Sequence, residues 1–254
     1  MSPVSRFAPA PTGYLHIGHV VNALQVWGDM RARGGRVLLR IEDHDRQRCR
    51  PEYDAALLED LEWLGLEWDG SIVRQSERDA IYREMATTLA AQGLVYGCTC
   101  SRQSVYPGTC RDAGHGLTDN VGWRVRLSTE EIAFEDRWCG PQRQTPATQC
   151  GDLLIRDRLG NWTYQFVATV DDHVQGITDV IRGRDLLDST GRQILLGRML
   201  GRPTPATFAH HGLVMKSATQ KVSKSDNDTG IRDLRAAGWS PVDVWRAARQ
   251  ARLA

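Results

Sequence analysis

The sequence predicts an α/β fold built on a parallel sheet, and three stretches predict it. A short β-branched and aromatic run ends near Phe7, breaks at Pro9 and Pro11, and turns at Gly13. Val20, Leu24 and Trp27, with Ala23 beside them, then recur at helical spacing until Gly34-Gly35. Arg36-Val-Leu-Leu-Arg-Ile41 follows as a buried strand, so strand, helix and strand form a right-handed βαβ unit with parallel strands. Far downstream, Ile177-Thr-Asp-Val-Ile-Arg182-Gly183 reads as strand again, which implies that the sheet resumes after a long interruption.

The bulk properties bound what such a fold can be. At 254 residues and 41% hydrophobic, the chain is long enough for one large domain, or one domain carrying an insertion. No apolar run is long enough to span a bilayer, and the N-terminus lacks the regions of a signal peptide, so no membrane contact and a cytoplasmic location are expected. In that compartment the six cysteines are thiols or metal ligands rather than disulfides. A net charge of +1 gives no overall pull toward nucleic acid and leaves a local basic face open. Of 32 basic residues only three are lysine, and Lys216, Lys221 and Lys224 lie close together. A compositional bias explains the arginines. The clustered lysines then imply a local need for a compact, mobile point charge.

Each element places a candidate site. Arg6-Phe-Ala-Pro-Ala-Pro-Thr-Gly-Tyr-Leu-His-Ile-Gly-His19 puts His16, Gly18 and His19 where the first helix starts. Unpaired N–H groups and the positive end of the helix dipole make that spot an anion site, and two histidines add donors that can follow charge developing on a phosphate. Glu42 and Asp43 fall at the carboxyl end of the second strand, the edge where open parallel sheets bind ligands. Pro51 suits a first helical residue, with Leu57, Leu58, Leu61 and Leu64 on one face of a helix that ends at Gly65. Ser76 and Asp79 have cap spacing ahead of another helix, which carries Ile81, Met85 and Leu89.

Cys98, Cys100 and Cys110 within thirteen residues point to a thiolate metal site, most naturally tetrahedral zinc. Three ligands are not four. On chemistry alone His115 is favoured for the fourth, because imidazole is a commoner zinc donor than phenol. Cys49, Cys139 and Cys150 have no such company and read as ordinary small side chains. Between Gly114 and Gly160 short β-like runs alternate with turns, as in an inserted subdomain. The chain finishes with a capped helix from Ser240 whose Arg246, Arg249 and Arg252 share one face.

The first motif resembles the class I aminoacyl-tRNA synthetases of the glutamyl and glutaminyl branch, with Ala10 standing where that branch often has serine. Arg40-Ile-Glu-Asp-His-Asp45 is similar to a stretch of the glutamyl enzymes whose glutamate holds the substrate's α-amino group, a role carried to Glu42. Trp162-Thr-Tyr-Gln-Phe-Val-Ala-Thr-Val-Asp-Asp-His173 and the later Val-Ile-Arg-Gly resemble the stretches that close the amino-acid pocket. The resemblance thus implies glutamate contacts from Arg6, Phe7, Ala8, Pro9 and Ala10, from Glu42, and from Tyr164 and Arg182. Arg182 is expected to meet the side-chain carboxylate, whose geometry its two-pronged head matches. Gln165 replaces the usual asparagine.

Lys221-Val-Ser-Lys-Ser225 resembles the signature loop of the family, which implies that Lys224, assisted by Lys221, follows the charge of leaving pyrophosphate. ATP would then meet Thr12, His16, Gly18, His19 and Lys224, with Mg2+. Short members of the family that glutamylate queuosine in tRNA(Asp) carry Cys-x-Cys followed by Tyr-x-x-x-Cys, and the tyrosine completes their zinc site. Tyr106 and Cys110 have that spacing, so the resemblance points to Tyr106 where chemistry alone points to His115.

The implied architecture is a Rossmann-like sheet with an inserted zinc-bearing subdomain. Residues 1–95 and 161–215 would form the two halves of the nucleotide-binding domain, 96–160 the insertion, and 216–254 the lysine loop and last helix, with no anticodon-binding domain. The implied activity is ATP-dependent activation of L-glutamate and its transfer to queuosine-containing tRNA(Asp) by a monomer. Alternatives are a shortened synthetase charging the tRNA 3′ end, a noncatalytic RNA-binding paralogue, and a small-molecule ligase that shares the fold.

Overall fold

The computed structural model describes residues 2–101, 103–214 and 230–253. In chain order these form β1 (Val4–Phe7), α1 (Ile17–Ala32), β2 (Arg36–Ile41), α2 (Pro51–Trp63), β3 (Val73–Arg74), α3 (Asp79–Ala91), β4 (Val95–Cys98), β5 (Gly122–Val125) and β6 (Ile132–Asp136). Then come β7 (Gly140–Gln144), α4 (Pro146–Cys150), β8 (Leu153–Arg156), α5 (Tyr164–Val174), β9 (Asp179–Gly183), α6 (Thr190–Met199), β10 (Thr207–His211), α7 (Ile231–Ala236) and α8 (Pro241–Leu253). The chain divides into two compact units. Met1–Ser76, Ile177–Leu187 and Phe208–Ala254 form one, and Glu77–Gly176 with Asp188–Thr207 form the other.

The first unit holds the parallel sheet. β1 pairs with β2, Val4 opposite Arg36 and Phe7 opposite Leu39, and β2 pairs with β3, Arg40 opposite Val73. β9 lies beside β1, where the Thr178 N–H donates to the Val4 carbonyl at 2.9 Å, and β10 neighbours β9. The buried Val37, Leu39 and Ile41 of β2 suit a strand of a covered parallel sheet. α1 covers them with Val20, Ala23, Val26 and Met30, a stripe at three- and four-residue spacing, and Trp27 meets Phe7 edge-on at 5.3 Å. Each fully buried side chain of this size stabilises the fold by about 1.5–3 kcal/mol. Val244 and Ala248 of α8 join the same core. Ser240 caps α8, its N–H and hydroxyl reaching Asp243 at 3.0 and 2.5 Å.

The cap expected at Ser76 is absent. α3 begins at Asp79, preceded by Arg78 with no side-chain cap bond. Ser76 instead gives its N–H and hydroxyl to the Asp43 carboxylate at 2.8 and 2.6 Å, so the loop after β3 is tied to the end of β2. A carboxylate accepting two bonds outcompetes a marginal cap.

The second unit contains the antiparallel sheet β4-β5-β8 and the hairpin of β6 and β7. Its helices are locked by Asp171, fully buried on α5, which accepts from Arg78 Nε at 2.6 Å and from the Tyr82 hydroxyl at 2.9 Å. The stretch from Tyr164 to Val174 is thus a helix, with the strand following at Asp179. Trp162 stacks on Phe166 at 5.2 Å and meets Trp123 edge-on at 6.0 Å, which joins α5 to β5.

Candidate active site and metal centre

In the first unit the histidine motif is built by helix capping. His16 is the N-cap of α1, with an extended backbone, and its Nδ1 accepts from the Gly18 N–H at 3.1 Å. His19 returns the bond, its Nδ1 accepting from the His16 N–H at 3.1 Å, and the two rings lie 3.9 Å apart. An imidazole that accepts at Nδ1 and is neutral carries its proton on Nε2. Both rings are thereby held as Nε2–H donors at the positive end of the helix, the form that suits an anionic ligand. Gly18 is required, since a Cβ there would stand 2.9 Å from the His16 ring. Thr12 sits in the turn before the helix, its N–H on the Ala10 carbonyl at 2.9 Å.

The loop after β1 is tied to the loop after β2. Glu42 N–H donates to the Pro9 carbonyl at 3.0 Å and Arg50 N–H to that of Pro11 at 3.1 Å. Phe7 is core, while Ala8 and Ala10 are partly exposed, and Pro9 is buried. Glu42 itself is buried and accepts from Arg40 Nη2 at 3.3 Å, Arg40 being wholly enclosed. Arg6 on β1 and Arg182 on β9 are each only 4% exposed. Arg182 Nε donates to His210 Nε2 at 3.0 Å, which requires the neutral imidazole with its proton on Nδ1. Buried guanidinium groups demand an anionic or strongly accepting partner. Arg6, Arg182 and Glu42 are thus buried charged groups on β1, on β9 and just after β2.

Tyr164 opens α5 in the second unit, after Thr163. Gln165 does not stand idle there: it donates to Ser189 Oγ at 2.9 Å and accepts from Gln193 Nε2 at 2.9 Å. Lys216, Lys221 and Lys224 lie outside the described residues.

The cysteine cluster forms within the second unit. Cys98 ends β4, Cys100 and Cys110 lie in the loop that follows, and the three Sγ atoms lie within 4.8 Å of one another. Cys100 and Cys110 Sγ are 3.5 Å apart, and the Tyr106 hydroxyl is 3.6 Å from Cys98 Sγ. Tetrahedral zinc with sulfur at ~2.3 Å and oxygen at ~2.0 Å has edges of about 3.5–3.8 Å, so these spacings fit a four-coordinate ion. Tyr106 Oη also accepts the Cys110 N–H at 2.7 Å, which fixes the loop. His115 is exposed and its ring is not part of the cluster.

The Thr99 backbone N–H draws the Cys110 thiol down to about 6, toward the thiolate a metal requires. Burial pushes the Tyr106 phenol up to about 12. The donor chemistry and spacing fit zinc.

Sequence reasoning missed four groups that the fold brings to these sites: Arg40, Ser76, His210 and Arg124. Arg124 packs over the Tyr106 ring at 3.7 Å. In a chain so rich in arginine, no residue-type signal separates these from solvated neighbours. Only the alternation along β5, which turns Arg124 inward while Trp123 faces the other side, carried a hint.

Over residues 4–108 and 113–250 the chain matches the family described as tRNA synthetases class I (E and Q), catalytic domain. A relative from Rhodobacter capsulatus, named Glutamyl-Q tRNA(Asp) synthetase, is 39% identical over 96% of this chain and 98% of its own. One of the same name from Pseudomonas aeruginosa is 45% identical over 94% of this chain and 87% of its own. Among solved structures, a glutamate tRNA ligase from Elizabethkingia meningosepticum in complex with its amino acid superposes with a TM-score of 0.78 at 27% identity. That match covers 94% of this chain, which spans about half (54%) of the ligase.

Proposed function

We propose, from the premise that the chain belongs to the family of class I glutamyl and glutaminyl tRNA synthetase catalytic domains, that it activates L-glutamate with ATP and glutamylates queuosine in tRNA(Asp). The glutamate α-carboxylate attacks the α-phosphorus of ATP, which releases pyrophosphate and leaves glutamyl-adenylate. A hydroxyl of the cyclopentenediol ring of queuosine then attacks the glutamyl carbonyl carbon, and AMP leaves. The observation that carries the reading is the histidine pair locked as Nε2–H donors at the start of α1, in a chain similar from end to end to relatives with that name.

Residue roles follow from charge and geometry. His16 and His19 stabilise the five-coordinate α-phosphorus through their Nε2 protons, and Gly18 and Thr12 let ATP approach the backbone. Lys224, with Lys221, neutralises pyrophosphate, and Mg2+ accompanies ATP. Arg182 pairs with the side-chain carboxylate of glutamate and Glu42 with its ammonium group. Arg6, the segment Phe7 to Ala10, and Tyr164 complete the amino-acid site. Cys98, Cys100, Cys110 and Tyr106 hold one zinc ion, which when bound fixes the loop after β4 and takes no part in the chemistry. We place the protein in the cytoplasm as a monomer. Among the described residues no helix is long and apolar enough to cross a membrane.

The test is transfer of labelled glutamate to queuosine-containing tRNA(Asp), to tRNA(Asp) lacking queuosine, and to tRNA(Glu). Labelling of the first alone is expected. Labelling of tRNA(Glu) instead would make this a charging enzyme, and labelling of none despite adenylate formation would overturn the acceptor.

A further inference from the structure

Three thiolates and one phenolate around a divalent ion carry two negative charges in excess. Cys98, Tyr106 and Cys110 are buried, so that excess sits away from water, where uncompensated charge is costly. Carboxylates are no remedy. The one nearby, Asp152, is negative itself and is fully engaged by the Tyr96 hydroxyl at 2.7 Å, by Arg111, and by the Leu127 N–H at 2.9 Å.

The group that meets the cluster is Arg124, on β5 opposite Tyr96 of β4 and only 5% exposed. Its Nε donates to Cys98 Sγ at 3.3 Å. Its guanidinium carbon lies 3.7 Å from the centre of the Tyr106 ring, and Nη1 donates to the Asp152 carbonyl at 2.7 Å. Among the described residues no carboxylate forms an ion pair with it. A buried arginine without a carboxylate is as anomalous as a buried site with two surplus negative charges, and the two anomalies cancel if they belong together.

We propose that Arg124 is the built-in counter-charge of the metal centre, compensating the thiolate-rich ligand set and making a tyrosine usable as its fourth member. This rests on the zinc reading above. Arg124 touches the ligands through Cys98 Sγ and the face of Tyr106, so it acts as a positioning residue and not as a ligand. Lysine would keep the charge and lose the stacking and the fork, whereas glutamine would keep a donor and lose the charge.

The experiment uses the purified full chain, with zinc content measured by elemental analysis and affinity by competition with a chromophoric chelator. The parent is expected to hold one zinc per chain. Arg124→Gln is expected to weaken zinc at least tenfold, in the range typical of lost outer-shell partners of a metal site, ~10–100-fold. Arg124→Lys, which keeps the charge and loses the stacking, is expected to weaken zinc clearly less than Arg124→Gln does. The decisive comparison repeats Arg124→Gln in a Tyr106→His background, where a neutral imidazole already removes one negative charge. There the loss is expected to shrink to less than about threefold.

An equal loss in both backgrounds, an unchanged affinity in Arg124→Gln, or an equal loss in Arg124→Lys and Arg124→Gln would overturn the proposal. Should Tyr106→His fail to bind or fold, Tyr106→Phe serves as the charge-reduced background with the same expectation. A parent that holds no zinc would sink the zinc reading itself, which is a separate outcome.

Discussion

Asp60 is the side chain whose replacement the structure predicts most sharply. It lies on α2 between Leu57 and Leu61, is fully buried, and neither carboxylate oxygen has a hydrogen-bond partner. Its nearest cation is Arg232 of α7, whose Nε stands 3.9 Å away and whose Nη2 is taken by Glu59. Burial is the largest influence and raises the carboxyl from 3.8 to about 6, against the pull of Arg232 and Arg235 and with the push of Glu59. A raised acid binds its proton more tightly when folded than when unfolded. Stability is therefore full below pH 3.8, falls as pH rises toward 6, and stays reduced above it. At about 1.36 kcal/mol per pH unit, the charged form costs about 3 kcal/mol at neutral pH.

Asp60→Asn is isosteric and never charged. It is expected to be more stable than the parent by about 3 kcal/mol at pH 7.5 and by under about 1 kcal/mol at pH 4. Urea unfolding of both proteins at the two pH values reads the difference, and subtraction cancels every other titrating group. A variant no more stable than the parent at pH 7.5, or a gain that does not change with pH, would refute the reasoning.

Other replacements probe the remaining contacts. Gly151 has φ of +67° and a Cβ there would fall 1.9 Å from the Tyr106 carbonyl oxygen, so Gly151→Ala is expected to lose bound zinc and more than about 2 kcal/mol of stability in thermal unfolding. His16→Ala removes both the cap of α1 and one phosphate donor. It is expected to cost about 1 kcal/mol of stability and to slow ATP–pyrophosphate exchange by ~10²–10³. Exchange near the parent rate would remove His16 from the chemistry. Asp171→Ala strands Arg78 and the Tyr82 hydroxyl in the interior and is expected to destabilise by about 3–5 kcal/mol in denaturant titration.

What the sequence disclosed follows the reach of local physics. The β1-α1-β2 unit, the proline start of α2, the serine cap of α8 and the position of Glu42 at a strand end all rest on spacing within a few turns. The cysteine cluster was legible for the same reason, three cysteines within thirteen residues. Ser76 was misassigned because its competing partner, Asp43, is 33 positions away, and no local pattern announces such a bond. The fourth member of the cluster was open between His115 and Tyr106 because ligand preference says nothing about where a loop turns. In the structure the Cys110 amide holds the Tyr106 oxygen beside the thiols. Arg124, Arg40 and His210 gain their surroundings from strands that come together only in the fold.

The interleaving of the two units has a consequence for how the chain comes off the ribosome. β1 is made long before its neighbour β9, which is bonded to it through Thr178, 174 positions later. At ~5–20 residues per second, that edge waits roughly ten to thirty-five seconds for its partner. The second unit is no earlier, since its long segment ends at Gly176 and its remaining piece, Asp188–Thr207, is made after β9. Through that interval the newborn half-sheet presents an open edge four residues long with an arginine in it, a poor template for pairing with another chain. On this reasoning Arg6 blunts that edge in the nascent chain before it is buried in the fold.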